Sequence, residues 1–408
     1  MDIITKISPN EKEVSKVNSL INNFIKKIKT KLKDAKIEIG GSIAKNTWLA
    51  GDHDIDFFIK FPYQKYKDKD ISKILQSRLK GIRFSIIHGS RDYLQMKQDN
   101  YLFELIPVLD IKNAKDAINI TDVSPLHVAW VKSHNKDPAQ IRLTKAFLKA
   151  NNLYGAESYI SGFSGYVCEV LTISYKTFIN LVRATVRWEH PIVIDPAKYY
   201  KNRDEALKDI NKDKISSLVL IDPVQSTRNA AAALSDQNFH KFIETCKNYL
   251  KMPHEEFFLE KEFNINELKN KYKKYDLILL NVKPLFGKED LVGAKLVKAF
   301  NYIKDKLNEY GFKIKDANWY WKKEAYFYYI LDKGKLDNYV IHYGPPKKLE
   351  DNVIKFKEKW KKYKVMQDDY KVYVKLKRKY TNAQNYIKSL LKDKYLKNLV
   401  KSIKIKKV

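Results

Sequence analysis

Apolar and polar positions alternate at helical spacing near the start of the chain and at strand spacing soon afterwards. Within residues 11–34 the apolar positions three or four apart are Val14, Val17, Leu20, Ile21, Phe24, Ile25 and Ile28. This spacing predicts one amphipathic helix. The short apolar runs "KIEIG", "DIDFFIKFP", "FSIIHG" and "YLFELIPVLDI" each predict a strand, and Pro62 ends the second. We therefore predict a mixed α/β head over residues 1–132.

Helical periodicity then dominates residues 133–255. The segment "AQIRLTKAFLKANNLYG" stops at Gly155, and "SGYVCEVLTISYKTFINLVRATVRW" and "ALSDQNFHKFIETCKNYLKMP" follow it. Ser235 precedes the last of these periodic runs, in the place of an N-cap. These patterns predict a helical middle domain.

The pattern changes again in residues 256–408. "YDLILLNVKP", "FKIKDANWYW" and "EAYFYYIL" predict strands, and "KEDLVGAKLVKAFNYIKDKLNEYG" predicts a helix. A sheet with one helix is compatible with an RNA-recognition-like fold, although the sequence motif of that fold is absent. The aromatic residues of segment 319–329 show no single clean face, which favours core packing over RNA stacking. The predicted fold class is multidomain α+β, with a basic tail in residues 351–408.

The charge of the chain adds a partner to this picture. Lys and Arg number 78 against 48 Asp and Glu, which gives a net charge of +30. Such an excess indicates a polyanionic partner, nucleic acid before membrane. Residues 351–408 hold 19 Lys and Arg against 5 Asp and Glu. The alternative is a lysine-rich chain whose lysines are only solvated.

Cysteine usage and hydropathy indicate the compartment. Cys168 and Cys246 form neither a disulfide framework nor a zinc-binding pair, which favours a reducing compartment. The first residues lack the apolar core of a signal peptide, and no run of 18 apolar residues occurs. We therefore expect a cytoplasmic protein with no membrane partner.

The stretch "GGSIAKNTWLAGDHDIDFF" carries the candidate chemistry. Asp54 and Asp56 are two residues apart on a predicted strand, so both side chains leave the same face. Two like charges held together need a cation, and a pair of Mg²⁺ ions that also bind phosphate oxygens is the usual solution. The small-residue turn at residues 40–42 offers backbone N–H groups to phosphates. The alternative is a surface turn in which the aspartates act as caps.

This stretch resembles the G-S…[DE]-x-D signature of the DNA polymerase β nucleotidyltransferase superfamily. With "RLTKAFLKANNLYGAESYISGFSGYVCEVL" and "IDPVQSTRNAAAALS", the chain more narrowly resembles the archaeal class I CCA-adding tRNA nucleotidyltransferases. The resemblance covers residues 38–255 and is weak beyond them, apart from "HYGPP" near Tyr343. It implies template-independent addition of C, C and A to the 3′ end of tRNA from CTP and ATP, with two Mg²⁺ ions.

The resemblance also implies roles for individual residues. Asp54 and Asp56 would be the first two metal carboxylates. The implied nucleotide-binding residues are Gly41, Ser42, Lys45, Ser124, His127, Lys145, Tyr154 and Arg228. Ser42, Lys45, Lys145 and Tyr154 would contact the triphosphate, Ser124 and His127 would line the pocket, and Arg228 would read the base edge. The chemistry of Lys145 and Arg228 agrees, since a buried lysine needs an anion and a guanidinium presents a planar fork. The alternatives are a core histidine at His127, packing at Tyr154 and a structural ion pair at Arg228.

The third metal carboxylate of the resembled family sits three residues before a proline, usually as Asp. Here that position is Glu104, three residues before Pro107. Asp110 has the same strand parity and competes for the role, and we favour Glu104. Where the family often shows His-Pro-Tyr, this chain has "SRDYLQM", so we assign no role to Arg91 or Tyr93.

Other readings stay open at this stage. One is another RNA nucleotidyltransferase of the superfamily, of the poly(A) or oligoadenylate type. A second is a non-catalytic RNA-binding protein on the same scaffold. In the favoured reading the partner is the acceptor arm and 3′ end of tRNA, bound by the middle domain and residues 256–408. A homodimer stays open.

Overall fold

A computed structural model describes residues 2–322 and 324–406, and the chain divides into two compact units, residues 1–261 and 262–408. The helices of the first unit are α1 Ile3–Ile7, α2 Glu11–Lys29, α3 Gly41–Ala44, α4 Tyr63–Tyr66, α5 Ile71–Arg78, α6 Ser124–His134, α7 Pro138–Ala150, α8 Gly165–Tyr175, α9 Phe178–Thr185, α10 Arg203–Asp209 and α11 Asp236–Lys251. Its strands are β1 Lys36–Ile39, β2 Asp54–Pro62, β3 Ser85–Ile87, β4 Tyr93–Gln98, β5 Tyr101–Asp110, β6 Ile192–Ile194, β7 Leu218–Asp222 and β8 Gln225–Asn229.

The head of the first unit is a five-stranded sheet in the order β1-β2-β5-β4-β3. The central strands β2 and β5 run parallel, and their neighbours pair antiparallel. Helix α2 packs its apolar stripe on this sheet, where the ring of Phe24 lies 5.0 Å from Phe57 and 4.8 Å from Phe103. The parallel pairing matters most for function, because it brings together residues far apart in sequence.

The middle part of the first unit is helical, as predicted, but it also contains a small sheet in the order β6-β7-β8. Every residue of β7 is buried, since alternate side chains pack into two different apolar clusters. A continuous apolar run of this length lacks the alternation that identifies a strand, which is why its pattern did not reveal it. Ser235 caps α11 as predicted and accepts a hydrogen bond from the backbone N–H of Asn238.

The first unit extends slightly beyond the predicted boundary at residue 255. The ring of Phe258 is buried in the main apolar cluster of this unit, and the carbonyl of Phe257 accepts a hydrogen bond from Asn151 at 3.1 Å. These contacts join the short 3₁₀ turn Glu255–Phe258 to helix α7.

The second unit is built from two antiparallel sheets with helices. Its helices are α12 Ile265–Lys271, α13 Glu289–Tyr310, α14 Glu350–Lys359, α15 Ala383–Leu390 and α16 Lys394–Leu399. Its strands are β9 Asp276–Lys283, β10 Ile314–Trp321, β11 Ala325–Leu331, β12 Tyr339–Pro346, β13 Val365–Gln367, β14 Lys371–Lys377 and β15 Ser402–Lys406. The sheet orders are β10-β11-β9-β15 and β12-β14-β13.

The aromatic residues of β11 separate onto two faces, so the expectation of no clean face is wrong. Phe327 and Tyr329 are fully buried and pack against Phe300 of α13. Tyr326 and Tyr328 point to the opposite face, where Phe263 stacks on both. The period of two is regular once the strand is aligned with its neighbours.

Within the described part of this segment, residues 351–406 form no separate tail. They supply β13 and β14 to one sheet, and β15 pairs with β9 in the other, with Ile403 opposite Val282. Helices α15 and α16 add Ile387 and Leu396 to the apolar core beside α13. The positive charge of this segment therefore belongs to folded elements. Among the described residues, no helix is both long and apolar enough to cross a bilayer.

Candidate active site

Three carboxylates gather at one end of the parallel strand pair. Asp56 of β2 lies directly opposite Glu104 of β5, and Asp54 precedes Asp56 by two residues on the same face. Burial, then the charges of Glu104 and Asp54, raise the pKa of Asp56 to about 7, against the opposing charge of Lys45. Burial and Asp54 also raise the pKa of Glu104, although a hydrogen bond from Gln95 opposes the shift. The three acids therefore form a site with an excess of negative charge.

The glycine turn lies against these carboxylates. Gly41 begins α3 with φ at +59°, and a methyl group there would lie 1.7 Å from Oδ2 of Asp56. The backbone N–H of Gly40 donates a hydrogen bond to the carbonyl of Asp56 at 2.8 Å. Ser42 follows on α3 and is half-buried. Glycine is required at position 41 both for the left-handed backbone and for the close approach.

The donor set fits divalent cations. Carboxylate oxygens are the ligands that Mg²⁺ prefers, and a cation would offset both the burial and the carboxylate repulsion that raise the pKa of Asp56. Across residues 2–322 and 324–406, no three His, Cys, Asp or Glu side chains already converge on one ligating point. Glu104 is instead held by Gln95, whose Nε2 donates to Oε1 at 2.8 Å. Oε2 of Glu104 is not part of this hydrogen bond, so a carboxylate held by Gln95 can also ligate a cation.

Asp110, the competitor for the third carboxylate, lies at the other end of β5. It is opposite Pro62 and forms ion pairs with Lys36 and Lys60, each at 3.0 Å. Although burial opposes the shift, the hydrogen bonds from these lysines lower the pKa of Asp110. The two lysines already neutralise the charge of Asp110. It lies six residues along β5 from Glu104, away from the acidic cluster.

A second group joins the head to the middle segment through a buried acid. Glu169 of α8 accepts hydrogen bonds from Lys45 Nζ at 2.6 Å and from Lys145 Nζ at 2.8 Å. Thr47 donates to the same carboxylate at 2.6 Å. Although burial opposes the shift, Lys145 and then Lys45 lower the pKa of Glu169 to about 2. The two predicted triphosphate lysines thus meet at one anion.

Helix α7 is fixed to the loop after the glycine turn by its own basic side chains. Arg142 donates to the carbonyl of Asn46 at 2.8 Å, and Lys149 pairs with Asp52 at 2.7 Å. With Lys145 between them, these residues form one face of the helix. These contacts hold the middle segment against the loop that connects the glycine turn to β2.

Tyr154 follows α7 and lies near Lys145. A methyl group at Gly165 would lie 2.8 Å from Oη of Tyr154 and 3.9 Å from Cε of Lys145, so these three residues share one small space. The Lys149 Nζ lies 5.3 Å from the centre of the tyrosine ring. Burial raises the pKa of Tyr154 well above its ordinary value, so its hydroxyl stays protonated.

A third group surrounds the fully buried Asp222 at the end of β7. Its Oδ2 lies 2.9 Å from His127 Nε2 and also accepts a hydrogen bond from Arg228. Its Oδ1 accepts from the hydroxyl of Tyr166 at 3.0 Å. Ser124 precedes His127 by one turn on α6 and is half-buried. The side chain of Arg228 is 33% exposed, which leaves part of its guanidinium available.

The predicted residues therefore fall into three groups: the acids with the glycine turn, the two lysines with Tyr154, and Ser124 and His127 with Arg228. Glu169 joins the two lysines of the second group, and Asp222 joins His127 and Arg228 of the third. The sequence patterns predicted neither acid. Each is a single acid within an apolar run, "SGYVCEVL" and "LVLID". An isolated charge in such a run requires a partner.

The two residues given no role have structural surroundings of different kinds. Arg91 donates hydrogen bonds to the buried Asp122, whose carboxylate also accepts the backbone N–H of Leu109 at 2.8 Å. Tyr93 lies near the acidic cluster, and burial followed by Glu104, Asp56 and Asp54 raises its pKa to about 12.

The mixed sheet with its paired acids and the glycine turn define a nucleotidyltransferase. Residues 21–116 match the family model described as a nucleotidyltransferase domain, and residues 139–259 match the second domain of tRNA nucleotidyltransferase. A solved structure of the Cid1 poly(U) polymerase has a TM-score of 0.50 at 12% identity and covers 64% of this chain and 97% of that chain. A likeness at this identity shows the fold alone.

The second unit and the relatives narrow this class. Residues 282–406 match the C-terminal domain of CCA-adding enzymes. The CCA-adding enzyme of Nanoarchaeum equitans is 36% identical over 342 residues, which cover 81% of each chain. That of Methanococcus maripaludis is 30% identical over 417 residues, covering 98% of this chain and 92% of the relative. The chain belongs to the CCA-adding enzyme family, which confirms the resemblance and the multidomain fold class expected from the sequence.

Proposed function

We propose that the chain adds C, C and A to the 3′ end of tRNA from CTP and ATP, at the site formed by Asp54, Asp56 and Glu104. The observation that carries this proposal is the pairing of Asp56 with Glu104 beside Asp54, with the pKa of Asp56 raised to about 7. These three acids would hold two Mg²⁺ ions. Bound Mg²⁺ would lower the pKa of the attacking hydroxyl and neutralise charge on the phosphates.

The residues of the chain bind and orient the nucleotide. The turn of Gly41 and Ser42 presents backbone N–H groups to the triphosphate. Lys45 and Lys145 supply the positive charge that neutralises it. The hydroxyl of Tyr154 donates a hydrogen bond beside Lys145. Catalysis of this kind is chiefly positioning and charge neutralisation, because the phosphoryl group needs no covalent help from the protein.

The base would lie near Arg228, with Ser124 and His127 lining the pocket. The support for this placement is that Asp222 joins His127 and Arg228 in one group. An exposed guanidinium edge can donate two parallel hydrogen bonds to O2 and N3 of cytosine, or one to a ring nitrogen of adenine. The pocket would then favour these bases over uracil.

The acceptor arm of tRNA is the proposed polyanionic partner, and the cytoplasm the proposed location. Lys371, Lys375 and Lys377 of β14 are exposed and stand at alternate positions on one face of the sheet. Tyr339, opposite Lys377, is 55% exposed on the same face. Lysines interleaved with aromatic rings suit phosphates and bases of RNA.

The deciding experiment incubates the protein with tRNA lacking its 3′ C-C-A and with each labelled nucleotide in turn. We expect CTP to be added first and ATP afterwards. Asp56→Asn should abolish addition, while Asp110→Asn, a carboxylate change elsewhere on the same sheet, should leave most of it. Incorporation of ATP or UTP without CTP would instead indicate another polymerase of the superfamily, and no incorporation would indicate a binding protein.

A further inference from the structure

Glu169 is the one charged residue of helix α8, which is otherwise apolar or neutral. Its carboxylate is fully buried, and the side chains of Lys45 and Lys145 that contact it are 9% and 3% exposed. Lys145 also donates to Thr47 at 2.9 Å, and Thr47 donates to Glu169. Two cations and one anion are thus enclosed together.

Lys45, Lys145 and Glu169 together have a net charge of +1, because two ammonium groups face one carboxylate. An ammonium group has three N–H donors, and Lys145 uses two of them on Glu169 and Thr47. A triphosphate that reaches Lys45 and Lys145 therefore meets cations already paired with a carboxylate. Because the group is buried, the charge of Glu169 strongly weakens the attraction of both lysines for any second anion.

We propose that Glu169 is the resident counter-anion of the triphosphate site, and that it competes with phosphate for Lys45 and Lys145 and so promotes release of pyrophosphate. The inference rests on the proposed role of the two lysines. Glu169 touches no substrate, so it is a positioning residue that acts through them. Before nucleotide binds, Glu169 offsets the repulsion between the two buried lysines. After transfer, it pairs with them again in place of pyrophosphate.

The change Glu169→Gln separates this role from simple packing. Glutamine has nearly the same shape and keeps one of the two accepting oxygens, but it removes the negative charge. Two buried lysines without a counter-ion destabilise the nucleotide-free protein. The same loss strengthens their attraction for pyrophosphate. We therefore expect lower thermal stability without ligand, at least about tenfold tighter pyrophosphate binding, and a lower kcat with a KM for CTP that does not rise.

The experiment titrates pyrophosphate by calorimetry in the presence of Mg²⁺ for the wild type, Glu169→Gln, Lys145→Ala and Asp122→Asn. Asp122 is the matched control, because it is a buried acid paired with Arg91. Asp122→Asn should lower stability and leave pyrophosphate affinity unchanged. Lys145→Ala should weaken pyrophosphate binding at least about tenfold. Glu169→Asp, which keeps the charge, should restore affinity toward that of the wild type.

The outcomes distinguish the two proposals. Equal or weaker pyrophosphate binding by Glu169→Gln, with weakened binding by Lys145→Ala, overturns the role of Glu169 and leaves the triphosphate site standing. Unchanged binding by Lys145→Ala overturns the site itself. If Glu169→Gln is unfolded without ligand, we expect pyrophosphate to restore its fold, and failure to do so at millimolar concentration overturns the inference.

Discussion

Gly41 approaches the carboxylate of Asp56 so closely that a methyl group at position 41 would lie 1.7 Å from Oδ2. Alanine there must displace the carboxylate or unwind the turn, in addition to straining the backbone at φ +59°. We expect Gly41→Ala to lower kcat at least about a hundredfold while the protein still folds. Steady-state incorporation of CTP, with a circular dichroism melt, measures both effects.

Gly51 provides the matched control for backbone strain. It also has a positive φ, of +79°, but nothing among the described residues lies within 4 Å of a methyl group placed there. Gly51→Ala should cost about 1–2 kcal/mol of stability, from the left-handed backbone alone, and keep nearly full activity. Equal loss of activity in both variants would mean that strain, and not the contact with Asp56, explains the requirement for glycine.

The raised pKa of Asp56 predicts how stability depends on pH without metal. Its folded pKa is about 7, above the ordinary 3.8, so between these values the folded state holds the proton more tightly than the unfolded state. Above pH 7 Asp56 is ionised in the folded protein, and its contribution to the free energy of unfolding is then at its lowest. In EDTA at pH 8, we expect Asp56→Asn to melt at least about 2 °C above the wild type, with the difference closing as the pH falls toward 4.

Metal should reverse this order. In the proposed site Mg²⁺ binds the ionised carboxylate of Asp56, so at pH 8 it should raise the melting temperature of the wild type and leave Asp56→Asn nearly unchanged. Because binding must remove a proton below pH 7, the apparent Mg²⁺ affinity of the wild type should fall between pH 8 and pH 6. An Asp56→Asn protein that Mg²⁺ stabilises as much as it stabilises the wild type would contradict the proposed ligand set.

Glu104 and Asp110 are predicted to differ in function although they share strand β5. Glu104→Gln should remove nearly all incorporation, because it replaces the proposed third metal carboxylate, opposite Asp56. Asp110→Asn should keep most activity, since Asp110 is paired with Lys36 and Lys60. Parallel assays of the two variants over a range of Mg²⁺ concentrations test this. The reverse pattern would assign the third ligand to Asp110.

The register that places Glu104 beside Asp56 was not available from the sequence. Periodicity identifies β2 and β5 as strands, and the motif spacing suggested Glu104, but strand order and pairing depend on tertiary packing. The lone acids Glu169 and Asp222 were missed for a related reason. The partners Lys45 and Lys145 of Glu169, and His127 and Arg228 of Asp222, come from other elements, and only folding brings such groups together.

Residues 351–408 show where composition misled the interpretation. The excess of lysine suggested a basic tail, yet Lys371, Lys375 and Lys377 belong to a strand with Val372 and Val374 between them. This alternation of exposed lysine and buried valine is the pattern of a strand with one covered face. Counting charge over a long segment concealed a period of two.

The folded state of this segment changes how RNA binding should be tested. Deletion of residues 351–408 would remove β15 and unpair one edge of β9, so surface charge changes are the better probe. We expect the triple change of Lys371, Lys375 and Lys377 to Ala to weaken tRNA binding. Each lost phosphate contact should lower the slope of log affinity against log salt by roughly 0.7–0.9.

A matched triple change tests whether the effect is specific to this sheet. Lys26, Lys27 and Lys29 of α2 are exposed. Changing these three to Ala removes as much positive charge as the triple change in β14. Their loss should leave the salt slope nearly unchanged. Filter binding of tRNA at several salt concentrations measures both variants, and identical slopes for the two would mean that the lysines of β14 are only solvated.

The last prediction concerns base choice, which requires one pocket to accept cytosine and adenine but reject uracil. Arg228 donates to the buried Asp222, which fixes the direction of its remaining N–H groups. Uracil presents a donor where the guanidinium needs an acceptor, and such a mismatch costs on the order of 1–3 kcal/mol, about ten- to a hundredfold in selectivity. Arg228→Ala should therefore slow C and A addition and raise the relative use of UTP.

Asp222→Asn should do the same to a smaller degree, because the arginine remains but is less firmly oriented. Arg183→Ala, at an exposed arginine of α9, is the control. Steady-state incorporation of all four nucleotides onto tRNA ending in the discriminator base decides the matter. If Arg228→Ala is slower but keeps its full preference for CTP over UTP, then Arg228 supports the fold or the RNA, and base selection lies elsewhere in the pocket.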